Sequence, residues 1–173
     1  MHGYATDNGP IVYAHLDTPL GSLLAVADGE ALLSLEFGVG RRAPQPSPEW
    51  TARPSSPVLR ATAAQIAGYF AGRRRVFDLP LRPQGTPFQR DAWEALRRIP
   101  YGETRSYGEQ AIAVGRANAA RAVGAANARN PIVIVIPCHR VIGGDGSLTG
   151  FAAGLSRKQE LLRLEGALPR PLL

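Results

Sequence analysis

The spacing of apolar residues changes near residue 83 from a strand-like to a helix-like pattern, which predicts two parts with different secondary structure. Before it, short alternating runs at 11–16, 22–27 and 31–37 predict β-strands separated by turn residues. After it, apolar residues recur at helical spacing. We therefore expect an α/β (α+β) fold, with a small strand-rich α/β domain at 1–83 and a mostly helical domain at 84–173.

The first 83 residues contain a strand meander and one predicted helix. Short turns join the three strand runs, which favours antiparallel pairing. Residues 57–71 place apolar side chains on one helical stripe, with Ser56 as N-cap and Pro57 at the first helical position. Residues 41–54, which include four prolines, predict an exposed loop, and residues 76–81 predict a further strand.

Two capping boxes mark helix starts in the second half. Thr86 with Gln89 opens one helix, and Ser106 with Glu109 opens a second helix that runs to about residue 114. A short glycine turn leads into a third helix at about 119–128, and residues 156–164 predict a last one. The second and third helices, with the tight turn between them, form a candidate helix-turn-helix.

The third predicted helix consists mostly of alanine, with Val123 as its one sizeable apolar side chain and Arg121 as its one charge. A helix of small residues can pack closely against a neighbouring helix. It can also enter a DNA groove, with Arg121 projecting from it. These residues taken by themselves leave both interpretations open.

The chain has one cysteine, Cys138, which follows Pro137 at the end of the apolar run 132–136. That run predicts a buried extended segment. A lone cysteine is commonly a buried and inert side chain. Here Pro137 cannot continue a strand and His139 is a potential base, so a nucleophilic thiol is the competing interpretation. One cysteine excludes an intrachain disulfide, and the three histidines lack ligand spacing, so we expect no metal site.

The net charge of +6 arises mainly in the second half, where residues 84–173 hold twelve basic and seven acidic side chains. Seven arginines occur from Arg97 to Arg140, and the only acidic residues among them are Glu103 and Glu109. Guanidinium groups bind phosphate bidentately, so nucleic acid is a candidate partner. A solvated basic face is the alternative.

The composition, with 45% apolar and 20% charged residues, is that of a globular protein. No apolar stretch approaches the roughly 20 residues of a membrane helix. The first ten residues lack the basic start and apolar core of a signal peptide. We expect no membrane partner and a cytoplasmic location.

Several motifs of the second half occur together in one known family. They are Ser106-Tyr107, Ala119-Ala-Arg-Ala-Val-Gly124, Asn130-Pro131, Ile136-Pro-Cys-His-Arg-Val141 and Lys158 to Gly166, preceded by Thr86-Pro-Phe-Gln89 with Trp93 and by Ile99-Pro-Tyr-Gly102. In these segments the chain resembles the O6-alkylguanine-DNA alkyltransferases, over about residues 86–166. The first half shares only a strand-rich outline and the turn Thr18-Pro-Leu-Gly21.

The resemblance implies a DNA repair protein that acts on double-stranded DNA carrying alkylated bases. Such a protein binds through the minor groove, flips O6-alkylguanine out of the stack and transfers the alkyl group irreversibly to its own cysteine. It is a methylated-DNA–protein-cysteine S-methyltransferase that acts once per molecule, with O4-alkylthymine as a second candidate substrate. Because the protein itself accepts the group, no cofactor is expected, and a monomer is expected.

The resemblance also implies roles for four residues around the thiol. Cys138 would accept the alkyl group, and His139 would draw the proton from the thiol through a water. Glu165 would orient His139 and balance its charge. Asn130 would brace the turn that carries Cys138.

Other residues would contact DNA or the flipped base. The resemblance implies that Arg121 fills the space left by the base, and that Tyr107 helps rotate its phosphate and hydrogen-bonds the purine. Phe151 would form the floor of the base pocket, and backbone groups near Val141 and Ala152 would read the guanine edge. The small residues beside Arg121 that would lie against DNA are Ala119, Ala120 and Ala122.

Two other classes of protein remain as alternatives. A non-catalytic lesion sensor or regulator would use the same helix-turn-helix without chemistry, although the presence of Cys138 argues against it. A cysteine–histidine hydrolase would also need a thiol and a base, but adjacent side chains on an extended backbone point apart. Without the resemblance, Glu165, Lys158 and Arg163 would be expected on a solvated surface.

Overall fold

The computed structural model describes residues 3–39 and 42–168. The chain divides into two compact units, residues 1–84 and 85–173. The first unit holds a sheet and one helix, and the second is mostly helical, so the predicted mixed α/β class is confirmed. Within the described ranges, none of the helices has the length and apolar character needed to cross a bilayer.

Three antiparallel strands form the centre of the sheet in the first unit. They are β1 (Val12–Thr18), β2 (Gly21–Ala27) and β3 (Leu32–Phe37), and they confirm the predicted meander. The order in the sheet is β3-β2-β1-β4, where the two-residue strand β4 (Thr51–Ala52) lies parallel to β1.

The helix of the first unit, α1 (Pro57–Phe70), contacts β1, β2 and β3. It begins after Ser56 with Pro57 at its first position, as predicted, although the Ser56 side chain makes no capping hydrogen bond. Its buried side chains include Leu59, Ile66 and Tyr69. A separate apolar cluster consists of Ile11, Leu24, Val26 and Leu33, with Tyr4, Tyr13 and Trp50 packed against it.

One prediction for the first unit is wrong. Residues 76–81 do not form a strand, and only Leu81 makes a bridge to β3. The Gln65 side chain both donates to and accepts from the backbone of Asp78, and Pro80 has no N–H, so this segment lacks a row of free groups for pairing. The predicted exposed loop at 41–54 is confirmed over most of residues 42–54, with the two exposed residues of β4 as its regular part, and residue 41 lies outside the described ranges.

The second unit confirms both predicted capping boxes and the predicted helix-turn-helix. Thr86 accepts from the Gln89 N–H at 3.2 Å, and Ser106 accepts from the Glu109 N–H at 3.1 Å. In each case the longer side chain accepts from the N-cap N–H at 3.0 Å. The four helices are α2 (Pro87–Arg97), α3 (Tyr107–Ala113), α4 (Ala120–Ala128) and α5 (Leu155–Leu164).

The apolar run 132–136 is buried, as predicted, but it is not extended. Ile136 N donates to Ile132 O at 3.0 Å, which closes a turn. Ile134 has a φ of 72°, a left-handed conformation that costs a β-branched residue about 1–3 kcal/mol. The chain then forms a 3₁₀ turn at Cys138–Arg140 and a short strand β6 (Val141–Ile142), parallel to β5 (Arg105–Ser106).

Candidate active site and DNA-binding surface

The thiol of Cys138 is buried at the start of the 3₁₀ turn, and the residue is 5% exposed. Burial raises the pKa of the thiol, against a hydrogen bond with Asn130 and the positive charge of Lys158, which both lower it. The raised pKa keeps the thiol protonated at neutral pH. Because the thiolate is the nucleophilic form, the site needs a base close to Cys138.

Asn130 holds the backbone turn that leads to Cys138. Its Nδ2 donates to Ile136 O at 2.7 Å, and its Oδ1 accepts from Ile132 N at 3.0 Å. The side chain is buried, so these bonds satisfy backbone groups that water cannot reach. The amide therefore supplies the partners that an extended run would have found in a neighbouring strand.

His139, Glu165 and Arg140 form a buried charged cluster behind the thiol. His139 Nε2 and Glu165 Oε2 lie 2.6 Å apart, and both side chains are 0% exposed. Arg140 Nε donates to the other oxygen, Glu165 Oε1, at 2.6 Å, and its Nη1 donates to Ile99 O at 2.7 Å. Glu165, which directly follows α5, thus contacts His139, the residue after Cys138. Arg140 was not predicted as a site residue.

The protonation states follow from this cluster. Burial lowers the pKa of His139, although the hydrogen bond to Glu165 raises it, so the imidazole is neutral near pH 7. Burial would raise the pKa of Glu165, but the hydrogen bonds and charges of His139 and Arg140 lower it to about 2. A neutral imidazole beside a carboxylate donates from Nε2 and keeps a lone pair on Nδ1.

The Nδ1 atom of His139 is buried and has no hydrogen-bond partner among the described residues. A buried nitrogen with a free lone pair is costly unless another group fills its hydrogen-bonding position. Such a group can be a water or a reacting proton donor. The cluster therefore holds a base whose Nδ1 lone pair is not taken by any described side chain or backbone group.

Lys158 is a buried site residue, and the expectation of a solvated side chain is wrong. It is 0% exposed, and its Nζ donates to Val141 O at 2.5 Å and to Thr149 O at 2.7 Å. Burial lowers its pKa to about 8, and the negative charge that Cys138 carries when it is a thiolate acts in the opposite direction. Sequence reasoning missed this residue, although a signal was present: the chain has 19 arginines and Lys158 is its one lysine.

The predicted base-pocket residues lie on segments that meet beside Lys158. Tyr107, the first residue of α3, donates from its hydroxyl to Thr149 O at 3.0 Å. Val141 is fully buried, and its carbonyl can accept a second hydrogen bond besides that from Lys158. Phe151 is half-buried and Ala152 is exposed, so the loop offers both an apolar wall and accessible backbone.

The exposed face of α4 carries the predicted DNA-contacting residues. Arg121 and Ala122 are exposed, whereas Ala119 and Ala120 are half-buried. Val123 and Ala126 face inward and form a buried cluster with Ala92 and Ala111. The outward face is therefore flat, with the guanidinium of Arg121 as its long projecting group. The inward face confirms the predicted close packing against neighbouring helices, and the outward face remains available for the predicted contact with DNA.

The arrangement is suited to nucleophilic chemistry at sulfur. A protonated thiol, a neutral imidazole and an ionised carboxylate allow proton transfer from Cys138 and attack on an electrophilic carbon. The buried ammonium of Lys158 can stabilise the negative charge that develops. In the described ranges, no group of three or more His, Cys, Asp or Glu side chains is placed to hold a metal ion.

A helix-turn-helix next to a buried cysteine, histidine and carboxylate is the combination expected of a DNA repair alkyltransferase. Two family models match the chain. Residues 11–83 match the ribonuclease-like domain of 6-O-methylguanine DNA methyltransferase, and residues 87–167 match the DNA binding domain of the same family. The chain belongs to this family, and the resemblance seen in the sequence is confirmed.

Individual relatives agree with the family assignment. A methylated-DNA–protein-cysteine methyltransferase from Methanosarcina acetivorans is 46% identical over 155 residues, which is 90% of this chain and 98% of that protein. Among solved structures, Mycobacterium tuberculosis OGT in complex with DNA is 46% identical, with a TM-score of 0.81 and coverage of 90% of this chain and 92% of that one. A structure of the Mycobacterium tuberculosis O6-methylguanine methyltransferase gives a TM-score of 0.82 at 44% identity, and covers 93% of this chain and 96% of that one.

Proposed function

We propose that this protein repairs DNA by moving an alkyl group from O6-alkylguanine to Cys138, with residues 84–173 carrying both DNA binding and transfer. The observation that supports this most directly is the buried His139, whose Nε2 is held by Glu165 and whose Nδ1 has no hydrogen-bond partner in the described part of the chain. His139 directly follows Cys138, the one cysteine of the chain, so the base and the thiol are neighbours in sequence.

The reaction begins with proton transfer from Cys138 to His139. A water between the thiol and Nδ1 carries the proton, and Glu165 stabilises the imidazolium that forms. The thiolate then attacks the alkyl carbon in line with the bond to the guanine oxygen. The sulfur–carbon bond forms as the carbon–oxygen bond breaks and guanine leaves as an anion. The anion takes up one proton at N1, and the His139 imidazolium releases one proton through the water, which restores the neutral imidazole. Atoms and charges balance without a cofactor.

The product is a thioether on Cys138. A thioether sulfur has no proton to give and is a poor leaving group, so no group in the site can remove the alkyl chain. One molecule of protein therefore repairs one base. O4-alkylthymine presents the same kind of alkyl–oxygen bond and is a second candidate substrate.

A duplex base reaches the buried thiol only when it leaves the stack. We propose that α4 enters the minor groove, with Ala119, Ala120 and Ala122 against the backbone and Arg121 in the space left by the base. Extrusion costs a few kcal/mol, and a weakened pair lowers this cost. Tyr107 would bond the flipped purine, with Phe151 below it and the backbone at Val141 and Ala152 along its edge.

We also propose that the protein acts as a monomer. A single copy supplies the thiol, the base and the DNA-binding helix, so a monomer is sufficient for repair. The cytoplasmic location also stays a prediction.

Mass spectrometry after mixing the purified protein with a duplex that carries one O6-methylguanine tests the proposal. We expect one methyl group on the Cys138 peptide, saturating at one per protein. The Cys138→Ser variant should bind the duplex with an unchanged Kd and gain no mass. A methyl group on any other residue, or methylation of that variant, contradicts the assignment. Tight lesion binding with no mass change in the unaltered protein would instead indicate a non-catalytic lesion sensor.

A further inference from the structure

A buried pair of amides joins the two helices of the helix-turn-helix. Gln110 of α3 donates from Nε2 to Asn127 Oδ1 at 2.8 Å, and Asn127 of α4 donates from Nδ2 to Gln110 Oε1 at 2.7 Å. Gln110 Nε2 also donates to the backbone oxygen of Ala92 in α2, at 3.2 Å. The two residues are 2% and 7% exposed, so water does not compete for these bonds.

The orientation of both amides is fixed. The Ala92 carbonyl is an acceptor only, so the Gln110 atom facing it must be the nitrogen. Asn127 must then present its oxygen to that nitrogen and its own nitrogen to Gln110 Oε1. Only one relative position of α3 and α4 satisfies all of these groups.

One neighbouring hydrogen bond also ties α4 to another helix, since Trp93 Nε1 of α2 donates to Ala126 O at 2.8 Å. The other contacts around the pair are apolar: Ala92, Ala111, Val123 and Ala126 form the buried cluster, and Phe88, Tyr107 and Val114 pack against it. Small apolar side chains pack at several helix offsets with similar energy, whereas a buried amide pair is costly to separate. The pair therefore sets the register of α4 against α3, as a single buried polar residue does in a coiled coil, while the Trp93 bond ties α4 to α2.

The register of α4 bears on both parts of the proposed machinery. The outward face of α4 carries Arg121, six residues before Asn127. At the other end, Asn127 O accepts from the N–H of Asn130, the residue that braces the Cys138 turn. A shift of α4 would therefore move the DNA-contacting face relative to the thiol.

We propose that Gln110 and Asn127 are positioning residues for transfer from duplex DNA, because they hold α4 at the offset that presents a flipped base to Cys138. The inference rests on the proposed function. It assigns to the pair a role in the duplex reaction beyond its contribution to folding. The thiol site itself, held by Asn130 and the His139 cluster, would keep its local geometry without the pair.

The test compares two reactions of Cys138. The first is single-turnover methyl transfer from a duplex carrying O6-methylguanine. The second is alkylation by iodoacetamide without DNA, which reports on the chain's single thiol and needs no positioned helix. The first variant, Gln110→Leu with Asn127→Leu, replaces both amides by apolar side chains. The second variant, Gln110→Asn with Asn127→Gln, exchanges the two amides and so keeps one long and one short amide side chain.

In the double leucine variant we expect duplex transfer about tenfold slower, with iodoacetamide reaction within about twofold of the unaltered protein. The exchange variant should recover transfer to within about threefold, since it retains the paired amides. If the double leucine variant does not fold, Gln110→Glu keeps the shape and removes the two donated bonds, and the same loss of duplex transfer is expected.

Two results would overturn the inference. One is an equal loss in both reactions, which would make the pair merely structural. The other is unchanged duplex transfer in a folded variant without the pair. Failure of the unaltered protein to transfer at all would instead contradict the proposed function, so the two ideas can be told apart.

Discussion

The Nε2 atom of His139 lies 2.6 Å from Oε2 of Glu165, in a cluster where both side chains are fully buried. The same carboxylate receives Arg140 Nε on its other oxygen. One negative charge therefore orients the imidazole and also compensates a buried guanidinium. Because removing one member leaves an uncompensated buried group, both activity and stability should depend on Glu165.

Glu165→Gln should impair both properties. An amide can still accept a hydrogen bond but does not stabilise the imidazolium or the guanidinium, so we expect transfer about 100-fold slower and a loss of about 3 kcal/mol in unfolding free energy. Single-turnover transfer and denaturant unfolding measure the two effects. Glu160→Gln is a matched control, since Glu160 forms an exposed pair with Arg163. Equal behaviour of the two variants would contradict the role of Glu165.

The lowered pKa of Glu165 also predicts how stability depends on pH. The carboxylate has a pKa of about 2 in the folded protein against the ordinary 4.5, so its contribution is complete above pH 4.5 and is lost as the pH falls toward 2. This contribution amounts to about 3 kcal/mol. The stability difference between the unaltered protein and Glu165→Gln should shrink over this window. A constant difference from pH 6 to pH 2 would show that the carboxylate does not titrate there.

Lys158 predicts a loss of activity on the alkaline side. Its pKa of about 8 means that the ammonium loses its charge as the pH rises through that value, which removes a positive charge acting on Cys138. Transfer should slow above pH 8 in the unaltered protein. Lys158→Arg, which stays charged, should lack this decline, and Lys158→Met should be about 100-fold slower at pH 7. Identical alkaline profiles for the unaltered protein and the arginine variant would contradict the prediction.

Asn130→Ala should loosen the turn that carries the thiol. The change leaves Ile132 N buried without a partner and removes one of the two bonds to Ile136 O, which still accepts from Cys138 N, so we expect a loss of about 1–3 kcal/mol in unfolding free energy. Transfer should slow more than about tenfold, because the sulfur is no longer held in line. Denaturant unfolding and single-turnover transfer measure these effects, with the exposed Asn118→Ala as the stability control. A loss below that of the control would contradict the bracing role.

Local signals in the sequence were enough to predict the helices of the second unit and part of the candidate site. The capping residues Thr86 and Ser106 set helix starts through hydrogen bonds that span three positions, so they can be recognised without tertiary contacts. Cys138 was found because it is unique in the chain and stands next to a base. Glu165 was reached only through the resemblance to a family, since its partner His139 lies 26 residues earlier.

The remaining features depend on contacts distant in sequence. The run 132–136 has the composition of a strand, yet the Asn130 side chain takes the backbone groups that a strand would use. Lys158 is buried because it bonds two carbonyls, and nothing at its own position on α5 indicates them. Gln110 and Asn127 are polar residues in helices whose pairing appears only when α3 and α4 are packed together.

Substitution of Arg121 tests base extrusion separately from alkyl transfer to Cys138. If its side chain fills the space left by the flipped base, Arg121→Ala should slow transfer about tenfold for a lesion in a stable pair, and under about threefold for one opposite a mismatch or in a single strand, where extrusion costs less. Single-turnover transfer on the three substrates measures this. Arg60→Ala removes the same charge from an exposed position on α1 and serves as the control. An equal slowing on all substrates would show that Arg121 contributes only charge, because the loss of a phosphate contact weakens binding regardless of pairing.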